Sequence, residues 1–135
     1  MPQNGSFLEG KRVLIIEDRE ENRRLLRAIL KLEGATTLEA EDGRAGIEIA
    51  ARELPDLILM DFQMPGLDGA AATRLLRQNP RTGALPIVFI TASASAETRR
   101  DALEAGGDGV LTKPIDPLQF SSQIAVILAN IAPQT

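Results

Sequence analysis

The sequence predicts an α/β fold, a doubly wound parallel sheet built from five βα units. Three observations carry this. The runs Val13-Leu14-Ile15-Ile16, Leu57-Ile58-Leu59-Met60 and Ile87-Val88-Phe89-Ile90 are of strand length and apolar on both faces, as strands covered by helices on each side must be. Stretches of helical length and spacing separate them. Each run stops at a polar group: Glu17-Asp18, Asp61 and Thr91 respectively. In an open parallel sheet those stops fall on one edge, where ligands bind.

In chain order, Arg12 to Ile16 is the first buried strand. A helix follows from about Arg19 to Glu33, with Asp18 a candidate cap. Leu25, Ile29 and Leu32 are expected on its inward face, widened by Leu26 and Leu30, and Gly34 stops it. Ala35 to Ala40, mixed in polarity, suits an edge strand. Asp42-Gly43 opens a helix running to Leu54. After the central strand ending at Asp61, Pro65-Gly66 forces a turn, and Asp68-Gly69 caps a small-residue helix from Ala70 to Gln78. The strand Pro86 to Ile90 leads to Thr91, and a helix from Ala96 to Ala105 ends at Gly106-Gly107. The short strand Gly109 to Thr112 delivers Lys113-Pro114, and Asp116-Pro117 is expected to begin the last helix as cap and first turn.

Composition removes several classes of function. The 135 residues make one domain, 44% hydrophobic and 25% charged, and no apolar run approaches the roughly 20 residues of a membrane span. Met1 to Ser6 lacks the shape of a signal peptide, so a cytoplasmic location is expected. The absence of cysteine excludes disulfides and thiol chemistry, and the absence of histidine excludes imidazole base catalysis. A net charge of −4, with no Trp or Tyr, argues against a nucleic-acid surface.

Carboxylate, hydroxyl and amine remain, and the topology gathers them. Glu17, Asp18, Asp61, Thr91 and Lys113 reach the same sheet edge from four strands. Each has a plain structural reading when isolated, as helix cap, loop hydroxyl or surface charge. Together they describe a phosphoryl-transfer site. Crowded carboxylates repel one another, and a hard divalent cation relieves the repulsion. Mg²⁺ fits, because it uses one or two carboxylates and leaves positions for water and phosphate. A lysine and a hydroxyl opposite the cation can hold phosphoryl oxygens. Asp61 is the candidate nucleophile, forming an aspartyl phosphate. Without histidine in the chain, the donor must be a partner or a small phospho-compound.

With these residues in place the chain resembles the receiver domain of two-component response regulators, over roughly residues 11–130. The motifs are Val-Leu-Ile-Ile-Glu17-Asp18, Leu-Ile-Leu-Met-Asp61 with Met64-Pro65-Gly66 and Asp68-Gly69, Ile90-Thr91-Ala92, and Lys113-Pro114. The resemblance implies a flavodoxin-like sheet of order 2-1-3-4-5. It implies Asp61 as phosphoacceptor, Asp18 as a direct Mg²⁺ ligand, Glu17 acting through water, and the Gln63 carbonyl completing the ligand set. Thr91 and Lys113 would bind phosphoryl oxygens, and Lys113-Pro114 would be cis. The phosphodonor would be a histidine kinase or a histidine phosphotransfer protein, docking on the first helix. One position departs from the pattern: three residues before the lysine, where the family usually carries an aromatic switch residue, stands Val110.

The function expected is a phosphorylation switch that changes a protein-interaction surface. A receiver-like binding module without phosphorylation is the alternative, opposed by the intact set of site residues. A phosphatase or mutase would need a substrate pocket and a second acid or base. Residues 1–10 are expected to be a lead and 131–135 a tail around the domain. Met1 and the short tail suit a stand-alone regulator, whereas Phe7 to Arg12 resembles the linker before receivers in hybrid histidine kinases, of which this could be an excised segment. Two surfaces stand out. Arg23, Arg27 and Lys31 form a basic stripe that either docks the donor or pairs within its own surface. The last helix has no charged residue from Pro117 to Ile131, leaving Ser122, Gln123, Val126 and Ala129 as a neutral outer face for a downstream protein or a weak homodimer.

Overall fold

A computed structural model of the chain describes residues 8–93 and 95–131. The lead up to Phe7 and the tail from Ala132 lie outside the described residues. Elements alternate throughout: β1 (Arg12–Ile16), α1 (Glu20–Leu32), β2 (Thr36–Ala40), α2 (Gly43–Glu53), β3 (Leu57–Asp61), α3 (Gly69–Gln78), β4 (Ile87–Thr91), α4 (Ala96–Ala105), β5 (Gly109–Thr112) and α5 (Phe120–Ala129). The sheet order is β2-β1-β3-β4-β5, and every neighbouring pair is parallel.

Strand periodicity sorts the apolar runs onto two cores. Val13, Ile15, Leu57, Leu59, Val88, Ile90 and Leu111 face α1 and α5, where Leu26, Ile29, Leu30, Phe120 and Ile124 meet them. Leu14, Ile16, Ile58, Met60, Ile87, Phe89 and Val110 face the other way, against Ala50, Ala72, Leu76 and Ala102 of α2, α3 and α4. The small residues let those three helices approach closely. A Cβ at Gly46 would stand 2.4 Å from Ile16 Cδ1. Leu8, within the segment expected to be a lead, is buried in the α1–α5 core.

Most helix starts follow the expected chemistry. The Asp42 side chain accepts from Ala45 N, Asp68 from Ala71 N and Ser95 from Thr98 N. Gly34, at φ 83°, ends α1 in a conformation that favours glycine.

Three expectations are corrected. Asp18 does not cap α1: Arg19 occupies the cap position, and its side chain makes no capping hydrogen bond. On α1 the inward stripe is Leu26, Ile29 and Leu30, while Leu25 is 45% and Leu32 84% exposed. At about 100° per residue, Leu25 and Leu32 lie together on one flank of that stripe, turned away from the core. Asp116 does not start α5. Its carboxylate accepts from Leu118 N at 2.9 Å and its carbonyl from Gln119 N at 3.0 Å, closing a separate turn. Leu118 there is 93% exposed, and the helix begins only at Phe120, the first side chain to enter the core.

Candidate functional site

The carboxyl edge of the sheet brings the expected residues together. Glu17 follows β1 and is 2% exposed, whereas Asp18 beside it is exposed. Asp61 ends β3 at 7% exposure and Thr91 ends β4 at 1%. Glu17, Asp18 and Asp61 each offer a carboxylate oxygen within 4.8 Å of the others. Lys113, just past β5, reaches over both buried acids: its Nζ lies 3.3 Å from Glu17 Oε1 and 3.4 Å from Asp61 Oδ2. The Lys113–Pro114 peptide is cis, as the resemblance implies.

Backbone contacts fix these groups. Phe62 N donates to Ile90 O and Lys113 N to Thr91 O, so the ends of β3, β4 and β5 are tied in sequence across the edge. Gln63 N donates to Asp61 Oδ1 at 3.0 Å, folding the loop back over the acid. Ser93 N donates to Thr91 Oγ1 at 3.2 Å, and Arg19 N to Glu17 Oε2 at 3.0 Å. Gly69 allows the close approach of α3, because a Cβ there would stand 2.7 Å from the Asp61 carbonyl oxygen. The result is an open cleft of about 440 Å³ lined by Asp18, Arg19, Asp61, Gln63, Ala92 and Lys113 among others.

The electrostatics are those of an under-compensated acidic cluster. The Asp18 carboxyl is pushed above its ordinary 3.8, first by partial desolvation, then by its hydrogen bond to Glu17 and by the Glu17 charge. Asp18 is nevertheless exposed, so water moderates the effect. Three hard oxygen donors with mutual repulsion and an open side fit a hard divalent cation such as Mg²⁺. Beside the cleft, Leu25, Leu26, Ile90, Pro114 and Ile115 line an apolar groove together with Glu17, Asn22 and Lys113.

The response regulator receiver domain model matches residues 13–125. The chain belongs to the response regulator receiver family. Among its relatives, the response regulator PleD of Caulobacter vibrioides is 42% identical over 113 residues, which are 84% of this chain and 25% of PleD. This chain therefore spans only about a quarter of that relative. Protein PilH of Pseudomonas aeruginosa is 36% identical over 119 residues, covering 88% of this chain and 98% of PilH. The receiver domain of the sensor histidine kinase PA1611 from Pseudomonas aeruginosa, solved with a magnesium ion coordinated in the active-site cleft, superposes with a TM-score of 0.81. It is 30% identical, over 90% of this chain and 99% of that one. Receiver domains are signalling switches that interact with histidine kinases or phosphotransfer proteins. No helix among the described residues is long and apolar enough to cross a membrane.

Two features of α1 bear on the site. In the basic stripe, Arg23 and Arg27 pair within their own surface, one of the two readings expected for it. Arg27 pairs with Glu39 of β2 through both Nε and Nη2, and Arg23, only 13% exposed, pairs with Glu20 at 2.8 Å and Glu39 at 3.5 Å. That pairing holds Glu39 below its ordinary 4.5, chiefly through the Arg27 hydrogen bond. The second feature was not expected at all: Arg23 Nη1 donates to the Glu17 carbonyl at 2.7 Å, immediately behind the acidic pair. Nothing in the spacing announces this, because the contact depends on the direction of a long side chain.

Val110 is 8% exposed and sits opposite Phe89 in the sheet register. Phe89 in turn meets Phe62, the neighbour of Asp61, edge to face at 5.0 Å.

Proposed function

We propose that the protein is a phosphorylation switch in which Asp61 accepts a phosphoryl group from the phosphohistidine of a histidine kinase or histidine phosphotransfer protein. A carboxylate oxygen of Asp61 attacks phosphorus, the donor's P–N bond breaks, and the electron pair leaves with the imidazole nitrogen. Glu17, Asp18, Asp61 and the Gln63 carbonyl are the residues that would hold Mg²⁺. When bound, the ion supplies charge neutralisation for the phosphoryl oxygens and the acids around them. Lys113 and Thr91 orient the transferred group and stabilise the charge it gains. Hydrolysis of the acyl phosphate then resets the site.

The observation that carries this reading is the convergence of three carboxylates, a buried threonine and a lysine within contact of both buried acids. Lys113 is central to the switching. Its ammonium now pairs with Glu17 and Asp61, and a dianionic phosphoryl group on Asp61 offers it a stronger partner. A modification shifts a conformational equilibrium only through such a differential interaction.

The output surface proposed is the outer face of α5, for a downstream protein or a weak homodimer. Ser122, Gln123, Val126 and Ala129 are all exposed, with Val126 at 63%. Since Val110 cannot swing a ring, contact on this face depends only modestly on phosphorylation.

Incubation with acetyl phosphate and Mg²⁺, followed by intact-mass measurement, tests the reading. One added phosphoryl group on the wild type and none on Asp61→Asn is expected. No gain under any donor would leave the chain a receiver-fold binding module.

A further inference from the structure

We propose that Arg23 is a positioning residue for the metal-binding acids, setting the orientation of Asp18 through the main chain of Glu17. This rests on the reading of Glu17, Asp18 and Asp61 as a cation site. The main chain of Glu17 is held at both of its polar groups, and the Glu17–Asp18 peptide is held by the Arg23 bond. Glu17 N donates to Ala40 O at 3.1 Å, and the Glu17 carbonyl accepts from Arg23 Nη1 at 2.7 Å. The Glu17 side chain is fixed as well, by Arg19 N and Lys113 Nζ. Asp18, by contrast, is exposed, so its direction is set through Glu17, by the peptide between them and by the side-chain contact with Glu17.

The guanidinium suits this role because it is a rigid planar fork with several donors. One arm takes the Glu17 carbonyl, another takes Glu20 Oε1 at 2.8 Å, and Nε faces Glu39 Oε1 at 3.5 Å. A single side chain, 13% exposed, thereby locks the β1–α1 loop to the first turn of α1 and to the edge strand β2. Its two carboxylate partners also answer an electrostatic objection. A bare cation behind the acids would oppose a divalent ion, but Glu20 and Glu39, which it shares with Arg24 and Arg27, offset part of its charge while its geometry is retained.

Charge and geometry therefore predict opposite signs. Removing Arg23 as a charge would tighten Mg²⁺ binding; removing it as a brace would weaken it. Groups that orient metal ligands typically change affinity by about tenfold or more when lost.

The test is calorimetric or NMR titration of the metal-free protein with MgCl₂, for wild type, Arg23→Met, Arg23→Lys and Arg24→Met. Arg24 is an exposed neighbour whose loss removes the same charge without touching Glu17. The expected result is about tenfold weaker binding for Arg23→Met, a smaller loss for Arg23→Lys, and no loss for Arg24→Met. In EDTA, amide exchange at Arg19, whose N–H is bonded to Glu17, should quicken in Arg23→Met alone. Should Arg23→Met fail to fold, Arg23→Lys against wild type carries the same decision. Wild-type binding with Arg23→Met equal or tighter overturns the proposal and leaves the cation site standing. Absence of Mg²⁺ binding by the wild type overturns the cation site and this proposal with it.

Discussion

Replacing Asp18 with asparagine should make the metal-free protein more stable, not less. In the wild type, carboxylate oxygens of Glu17, Asp18 and Asp61 lie within 4.8 Å of one another. Two unit charges at that separation repel by about 1 kcal/mol in water and by about 3 kcal/mol at an effective dielectric constant near 20. Asp18 is exposed, so the lower figure applies, and Arg19 offsets part of it. An asparagine amide removes the charge and adds a donor that Glu17 can accept. A gain of about 1 kcal/mol is expected, equivalent to a rise in Tm of about 4 °C for a domain of this size. Urea denaturation at pH 7 in EDTA measures it, with the slope unchanged if only the native state is affected. The pH dependence supplies an internal check. A carboxyl raised in the folded state destabilises the fold above its folded pKa and has no effect below the unfolded value near 3.8. The advantage of Asp18→Asn should therefore shrink as the pH falls through that range. Addition of Mg²⁺ should stabilise the wild type and do much less for the variant. An Asp18→Asn protein less stable than wild type in EDTA would refute the repulsion argument.

Four further outcomes follow from the same geometry. Glu39→Gln should cost about 1 kcal/mol at pH 7, the value of a well-aligned, partly exposed carboxylate–guanidinium pair. Because the folded pKa of Glu39 lies below 4.5, that stabilisation is present above 4.5 and lost as pH falls through the lower folded value, so thermal scans of wild type and variant should converge in acid. Gly69→Ala should destabilise by about 1–3 kcal/mol and slow phosphorylation, since the new methyl meets the Asp61 carbonyl and cannot displace backbone cheaply; unaltered stability would show that the β3–α3 loop yields. Lys113→Ala should still be phosphorylated on Asp61 but lose the accompanying NMR shift changes in α4 and β5; wild-type-like shifts would refute the role given to Lys113. Val126→Glu should abolish any self-association or partner contact made through α5, whereas sedimentation and binding unaffected by it would leave that face without a role.

The fold was legible because a parallel sheet covered on both sides writes continuous apolar runs into the chain, and Leu57 to Met60 and Ile87 to Ile90 do so without interruption. The site was legible for a topological reason: parallel strands deliver their ends to one edge, so Glu17, Asp61, Thr91 and Lys113 converge without any knowledge of side-chain contacts. What escaped the sequence depends on direction. In α1 the apolar residues Leu25, Leu26, Ile29, Leu30 and Leu32 wrap around too much of the helix for periodicity to choose the inward ones. Asp116-Pro117 caps a lone turn as readily as a helix, and only the burial of Phe120 decides where α5 begins. The reach of Arg23 back to Glu17, and of Arg27 across to Glu39, braces the stripe internally, and spacing along the helix carries no sign of either partner.

The central claim is that Asp61 carries an aspartyl phosphate. Borohydride reduces an acyl phosphate to an alcohol, which marks the modified aspartate permanently as homoserine. After phosphorylation by acetyl phosphate with Mg²⁺, reduction and peptide mass spectrometry, homoserine is expected at position 61 alone, and nowhere when Mg²⁺ is withheld. Reduction at Asp18 instead, a stable phosphate on the Thr91 hydroxyl, or an unmodified Asp61 would contradict it.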